Sequence, residues 1–123
     1  MGDVVLLIGL EEPLGRELRR VIGDSRTVHA YPCLPADGGQ ALIEHLHPNL
    51  VFLGGDWHAV RDMLRNASAP VVVVSRYPEV SDWLDAIEAG AADYCAPPFE
   101  TAHLAWILES AGKAVRAATA AAA

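Results

Sequence analysis

The chain has 123 residues, of which 52% are hydrophobic and 20% are charged, so its composition is that of one globular domain and not of a disordered segment. Its formal net charge of −7 argues against direct nucleic-acid binding, because DNA and RNA phosphates would be repelled. The two cysteines, Cys33 and Cys95, form no CxxC motif, and we interpret both as small buried apolar residues.

The first residues carry no signal for export or for membrane insertion. The stretch "GDVVLLIGL" follows Met1 directly and lacks the basic start of a signal peptide. It is also too short to span a bilayer. We therefore expect a cytoplasmic protein without membrane contact.

Apolar runs alternate with amphipathic stretches along the whole chain. Strands are predicted over residues 4–10, 26–32, 49–55, 70–75 and 93–96. Helices are predicted over 13–22, 38–48, 57–67, 80–91 and from 100 to about 116. The continuous apolar runs, clearest at 70–75, are typical of strands that are covered on both faces.

Each predicted helix has an apolar stripe that we expect to face the core. The stripe residues are Leu14, Leu18, Val21, Ile22, Leu42, Ile43, Leu46, Val60, Met63, Leu64, Leu84, Ile87, Leu104, Ile107, Leu108 and Ala111. Trp106 lies about 100° from its neighbours along the last helix, and Trp83 stands similarly beside Leu84. Each tryptophan is expected either to point outward or to fold onto the rim of the core.

Five strands that alternate with five helices predict an α/β fold with a doubly wound parallel sheet. The leading candidate is the flavodoxin-like (βα)5 arrangement, with strand order 2-1-3-4-5. In such a sheet a site lies beyond the carboxyl ends of the strands, near strands 1 and 3. Residues 9–12, 54–56, 75–76 and 96–97 are predicted to meet there.

Residues 69–99 resemble the second half of a response-regulator receiver domain. They read "APVVVVSRYPEVSDWLDAIEAGAADYCAPPF", a strand ending in Ser, a helix ending in "EAGA", then "DY" and a proline pair before Phe. Residues 6–22 and 47–54 resemble the receiver's first strand and helix and the strand that carries its phosphoacceptor. The receiver-like domain is expected over 1–116. The Ala-rich residues 117–123 are expected to be a helical extension or the end of a linker to an effector domain.

The resemblance assigns a role to several positions, and most of the assigned positions are degenerate. Gly54 stands at the position of the phosphoacceptor aspartate, and Pro97 stands at the position of the lysine. The acidic pair that helps to hold magnesium corresponds to Leu10 and Glu11. Ser75 matches the hydroxyl that contacts the phosphoryl group, and Tyr94 matches the aromatic switch position. Two more positions are Arg76, where receivers keep a small residue, and Pro98, which matches the cis-proline.

These replacements remove the chemistry of phosphoryl transfer. Glycine offers no carboxylate nucleophile, and Pro97 has neither a charge nor a backbone N–H. Glu11 and Glu12 are a poor ligand set for Mg²⁺, which requires several oxygen ligands in octahedral geometry. We therefore predict a non-catalytic pseudo-receiver, which is not an enzyme and uses no cofactor.

Asp56 and the two adjacent glutamates leave an alternative open. Asp56 is either a displaced phosphoacceptor or the N-cap of the helix predicted from Trp57. Glu11 and Glu12 are either weak metal candidates together with Asp56 or first-turn carboxylates that the helix dipole favours. The alternative function is an unorthodox phosphoacceptor or a small-ligand sensor that uses this pocket.

The resemblance also indicates a surface for partners. In receivers the fourth and fifth helices, with the strand that carries Tyr94, form the face used for dimers and for other proteins. Trp83, Tyr94 and Trp106 are therefore predicted to mark a constitutive interface. The expected occupant is a protein partner or a second copy, as a homodimer through helices 4 and 5.

Overall fold

The computed structural model describes residues 4–23, 26–31, 39–76 and 80–110. Its strands are β1 (Val4–Ile8), β2 (Thr27–Tyr31), β3 (Leu50–Leu53), β4 (Val71–Val74) and β5 (Asp93–Cys95). Its helices are α1 (Glu12–Ile22), α2 (Gly39–Leu46), α3 (Trp57–Asn66), α4 (Val80–Glu88) and α5 (101–110). The predicted alternation is confirmed, and the strands end one or two residues earlier than the predicted runs do. Cys33, Ala111 and the Ala-rich end lie outside the described residues, so the predicted domain boundary at 116 stays a prediction.

The five strands form one parallel sheet in the order β2-β1-β3-β4-β5, as predicted. Every residue of β3 and β4 is buried because helices cover both faces of the sheet. β2 and β5 are the two edge strands. The fold is therefore the flavodoxin-like doubly wound α/β arrangement.

Alternate residues along the strands belong to two separate apolar layers, one on each face of the sheet. One layer joins α1 and α5 to the sheet, through residues such as Leu18, Phe52 and Leu104. The other joins α2, α3 and α4 to the opposite face, through residues such as Ile43, Val60 and Leu53. The described residues of the predicted stripes of α1, α3 and α5 are buried, apart from half-buried Val21. In α2, Ile43 is buried, and Leu42 and Leu46 are half-buried.

The predicted inward stripe of α4 is wrong. Leu84 is 52% exposed and Ile87 is 40% exposed, whereas Ala86 is fully buried. Half-buried Ala89 packs in the same layer as Ala86. Successive helix positions are about 100° apart, so a helix that turns Ala86 toward the sheet must turn Leu84 and Ile87 away from it.

Cys95 behaves as the predicted small apolar residue. It is buried in the layer of α1 and α5. Burial, and secondly the nearby Asp93 carboxylate, raises the pKa of the Cys95 thiol to about 12. The thiol therefore stays protonated at neutral pH and is a poor nucleophile.

We expect Cys95 to resist alkylation by iodoacetamide in the native chain and to react fully in urea, because unfolding returns its pKa to the ordinary range of thiols. The measurement is intact mass after timed exposure at pH 8, made on the Cys33→Ser variant so that one thiol is followed. Rapid native labelling would contradict the burial. Since the folded pKa lies above the unfolded one, the contribution of this group to stability falls as pH rises from about 9 to about 12.

Within the part of the chain that is described, no helix is long and apolar enough to cross a bilayer.

Candidate functional site

The carboxyl ends of β1 and β3 meet at two glycines. Because the strands are parallel neighbours, Gly9 and Gly54 lie side by side, and the Gly54 N–H donates to the Ile8 carbonyl at 3.0 Å. Gly9 has φ +75°, and a Cβ built on it would overlap the Gly54 carbonyl oxygen. The position of Gly9 therefore requires glycine, both for its backbone angle and for the close approach of the two chains.

Leu10 fills the space beside Gly54. A Cβ built on Gly54 would lie 2.7 Å from Leu10 Cδ2 and 3.2 Å from the Val74 carbonyl oxygen. The Leu10 side chain is only 4% exposed. At the position that the resemblance assigns to the phosphoacceptor, the end of an apolar side chain thus stands where a Cβ would lie, and any side chain there requires Leu10 to shift. The sequence placed both residues at the site but did not show that one occupies the space of the other.

A cleft of about 360 Å³ opens above this corner. Six residues with a role assigned by the resemblance line this cleft. They are Leu10, Glu11, Gly54, Ser75, Arg76 and Tyr94. Asp82 of α4 also lines the cleft, and no pattern in the sequence indicated its presence there. The predicted site residues Asp56, Glu12 and Pro97 are not among the residues that line it.

Glu11 and Arg76 form an ion pair at the cleft. Arg76 Nη2 donates to Glu11 Oε2 at 2.7 Å, which joins the end of β1 to the segment after β4. Both side chains are exposed, so the pair stabilises the fold by less than about 1 kcal/mol. Its effect is local, because it gives the Glu11 carboxylate a cationic neighbour from the chain itself. The sequence did not predict this pair, since its members are 65 residues apart.

Asp56 and Glu12 make local contacts on their own helices. The Asp56 side chain accepts from the Ala59 N–H at 3.4 Å as the N-cap of α3, so the capping interpretation is confirmed. Glu12 accepts from Arg16 at 2.6 Å, one turn along α1. Among the described residues, no group of three or more His, Cys, Asp or Glu side chains could hold a metal ion.

The remaining predicted residues lie at the ends of β4 and β5. Ser75 follows β4, and its N–H donates to the Cys95 carbonyl at 3.1 Å. Tyr94 is half-buried against the layer of α2, α3 and α4. Its hydroxyl is buried and has no hydrogen-bond partner among the described residues. The Pro97–Pro98 peptide bond is cis.

Both tryptophans of the predicted interface point outward. Trp83 on α4 is 45% exposed and Trp106 on α5 is 59% exposed, which decides between the two positions that the sequence left open. α4 and α5 lie on opposite faces of the sheet, and both pack beside the edge strand β5. With Leu84 and Ile87, the tryptophans form a set of exposed apolar side chains that we name the α4–α5 face.

Comparison with known proteins relates the fold of this chain to that of receiver domains. No protein-family profile matches the chain. A curated relative, "Probable transcriptional regulator ycf27" of Porphyridium aerugineum, is 27% identical over 71% of this chain and 40% of its own length. The chain thus spans less than half of that relative.

Several solved structures superpose on nearly the whole chain. NtrX of Brucella abortus, solved with ADP, has a TM-score of 0.80 at 21% identity, over 99% of this chain and 29% of its own. The signal receiver domain of a Vibrio parahaemolyticus protein has a TM-score of 0.75 at 17% identity, over 98% of both chains. The BeF3-activated receiver domain of Klebsiella pneumoniae RstA has a TM-score of 0.71 at 20% identity, over 87% of this chain and 96% of its own. The chain therefore has the fold of response-regulator receiver domains.

Proposed function

We propose that the chain is a pseudo-receiver, a signalling module of two-component type that accepts no phosphoryl group and acts through protein contacts. The observation that carries this proposal is the position of Leu10, whose side chain takes the space beside Gly54. The receiver fold supports the assignment to signalling modules of two-component type. The contact of Leu10 with Gly54 at the ends of β1 and β3 supports the loss of phosphorylation.

The chemistry around the corner supports the same conclusion. An aspartyl phosphate needs a carboxylate nucleophile, and the Asp56 carboxylate caps α3 instead. The transferred charge also needs a cation. Among the described residues that line the cleft, Arg76 is the cation, and it is paired with Glu11. Pro97, at the position of the receiver lysine, contributes no charge.

Signalling would then depend on the α4–α5 face, with a protein partner or a second copy as its occupant. Exposed tryptophans are frequent anchors of protein interfaces. The ycf27 regulator and NtrX are both longer than this chain, which supports the proposal that a covalently linked effector domain belongs to the same signalling protein. A cytoplasmic location fits such a module and stays a prediction.

The cleft supports a second candidate function, the sensing of a small molecule. Its volume of about 360 Å³ lies within the range of small-ligand pockets. The buried Tyr94 hydroxyl has no hydrogen-bond partner among the described residues, and Tyr94 lines the cleft. A ligand bound there would supply the hydrogen bond that this hydroxyl lacks.

We expect no phosphorylation when the chain is incubated with acetyl phosphate and Mg²⁺, because position 54 has no carboxylate. The measurement is intact mass, with a phosphorylatable receiver treated in parallel as the positive control. A gain of one phosphoryl mass would contradict the proposal. Asp56→Asn then identifies the acceptor, since asparagine keeps the N-cap acceptor but offers no carboxylate. Loss of the added mass in that variant would assign the displaced acceptor to Asp56.

A further inference from the structure

The cleft at the carboxyl ends of the strands has an apolar floor. Leu10, Val60, Val73 and Val74 line it, and all four side chains are buried. Two of them belong to the layer of α1 and α5, and two belong to the layer of α2, α3 and α4. A ligand that fills this cleft of about 360 Å³ therefore needs an apolar body, as ligands of most small-molecule pockets do.

The charges in the cleft leave one carboxylate unpaired. Among the described residues, the charged side chains that line it are Glu11, Arg76 and Asp82. Glu11 and Arg76 neutralise each other as an ion pair at 2.7 Å. Asp82 is exposed and makes no hydrogen bond or ion pair with a described residue. Its position in the first turn of α4 favours a carboxylate through the helix dipole and leaves both oxygens open to a ligand.

Two aromatic side chains stand in the same cleft. Trp57 and Tyr94 both line it, and both are half-buried. Aromatic rings attract cations through their π faces, and the indole of Trp does so most strongly. The net charge of −7 on the whole chain also favours the approach of cations over that of anions. The aromatic side chains and the unpaired carboxylate thus favour a ligand of the same charge.

We propose that the cleft binds a small organic cation, an amine or a quaternary ammonium with an apolar body, an inference that rests on the second candidate function. The apolar body would pack on Leu10 and Val74. The ammonium group would lie near the Asp82 carboxylate and against Trp57. Anionic ligands are disfavoured, because the guanidinium of Arg76 is already paired with Glu11.

The test titrates three probes into the 123-residue chain and follows the backbone amide signals by NMR. At neutral pH 2-phenylethylamine is a cation, 2-phenylethanol is neutral and phenylacetate is an anion, and all three contain the same phenyl ring. We expect the amine to bind and to shift the signals of cleft residues. The alcohol should bind about tenfold more weakly, and phenylacetate should not bind. The Kd of the amine should rise with salt concentration, because salt screens its attraction to the carboxylate.

Variants of the chain assign the selectivity to named side chains. Asp82→Asn keeps the shape of the side chain and removes its charge, so it is expected to weaken the amine about fivefold and to leave the alcohol unchanged. Asp85→Asn is the matched control, because Asp85 is exposed on the same helix but lines a separate groove beside Arg61 and Arg65. Trp57→Leu is expected to reduce the preference for the amine over the alcohol, a ratio that a merely structural role of the ring would not change.

Three outcomes would overturn the inference. They are binding of none of the three probes, binding of phenylacetate as tight as that of the amine, and equal binding of the amine by the Asp82→Asn variant. Tight binding of phenylacetate would leave small-molecule sensing intact and change the class of ligand. Phosphorylation by acetyl phosphate would contradict the pseudo-receiver function without bearing on the amine result, so the failures are distinguishable. Circular dichroism spectra establish that the variants fold.

Discussion

Replacing Gly9 with alanine is expected to lower the free energy of unfolding by more than about 3 kcal/mol. Two costs add at this position. The backbone has φ +75°, and the new Cβ would overlap the Gly54 carbonyl oxygen. That oxygen belongs to the backbone beside the Gly54–Ile8 hydrogen bond, so relief requires β1 and β3 to separate. The measurement is urea unfolding followed by circular dichroism.

Gly23→Ala is the matched control for this prediction. Gly23 has φ +86° and ψ −176°, but a Cβ at this position would have no atom within 4 Å, so alanine there has only the backbone cost of about 1–3 kcal/mol. The difference between the two variants isolates the clash at the strand ends. Equal destabilisation by both would mean that β1 and β3 do not approach closely enough to exclude a Cβ.

Gly54→Asp is expected to destabilise the chain by about 3 kcal/mol and to leave it unphosphorylated. The new side chain would begin 2.7 Å from Leu10 Cδ2, and overpacking of this kind costs about 1–3 kcal/mol. Its carboxylate would in addition be placed beside a buried leucine. Gly54→Ala is the matched control, because it introduces the clash without the charge. Urea unfolding and intact mass after acetyl phosphate treatment measure the two effects.

Leu10→Ala is expected to relieve part of this cost. By itself it should destabilise by about 2–3 kcal/mol, since it leaves a cavity beside the sheet. The double variant with Gly54→Asp should lose less free energy of unfolding than the two single variants lose together. The difference, measured by a double-mutant cycle, is expected to be about 1 kcal/mol. Strict additivity would show that Leu10 does not occupy the space beside Gly54, and it would remove the main support for the pseudo-receiver proposal.

The elements of the fold could be predicted from the sequence because each depends on neighbours along the chain. The run "PVVVVS" indicated β4, and Asp56 indicated the start of α3. The strand order followed from alternating strands and helices together with the handedness of their connections. The positions of Gly54 and Pro97 were sufficient to question phosphorylation before any geometry was known.

The inward side of α4 could not be predicted in the same way. The helix predicted over residues 80–91 contains both Leu84 with Ile87 and Ala86 with Ala89, and each pair defines a helical stripe. Hydrophobicity favours the first pair. The structure has the second, and the larger residues become part of an exposed face.

The sequence alone thus determined the order of strands and helices, and the absence of a nucleophile at position 54, because both depend on residue type and local spacing. Only the tertiary structure decided that Leu10 occupies the space beside Gly54, that Arg76 pairs with Glu11, and that Trp83 and Trp106 are exposed. Each of those contacts or exposures depends on how segments distant along the chain pack together, which local residue spacing does not specify.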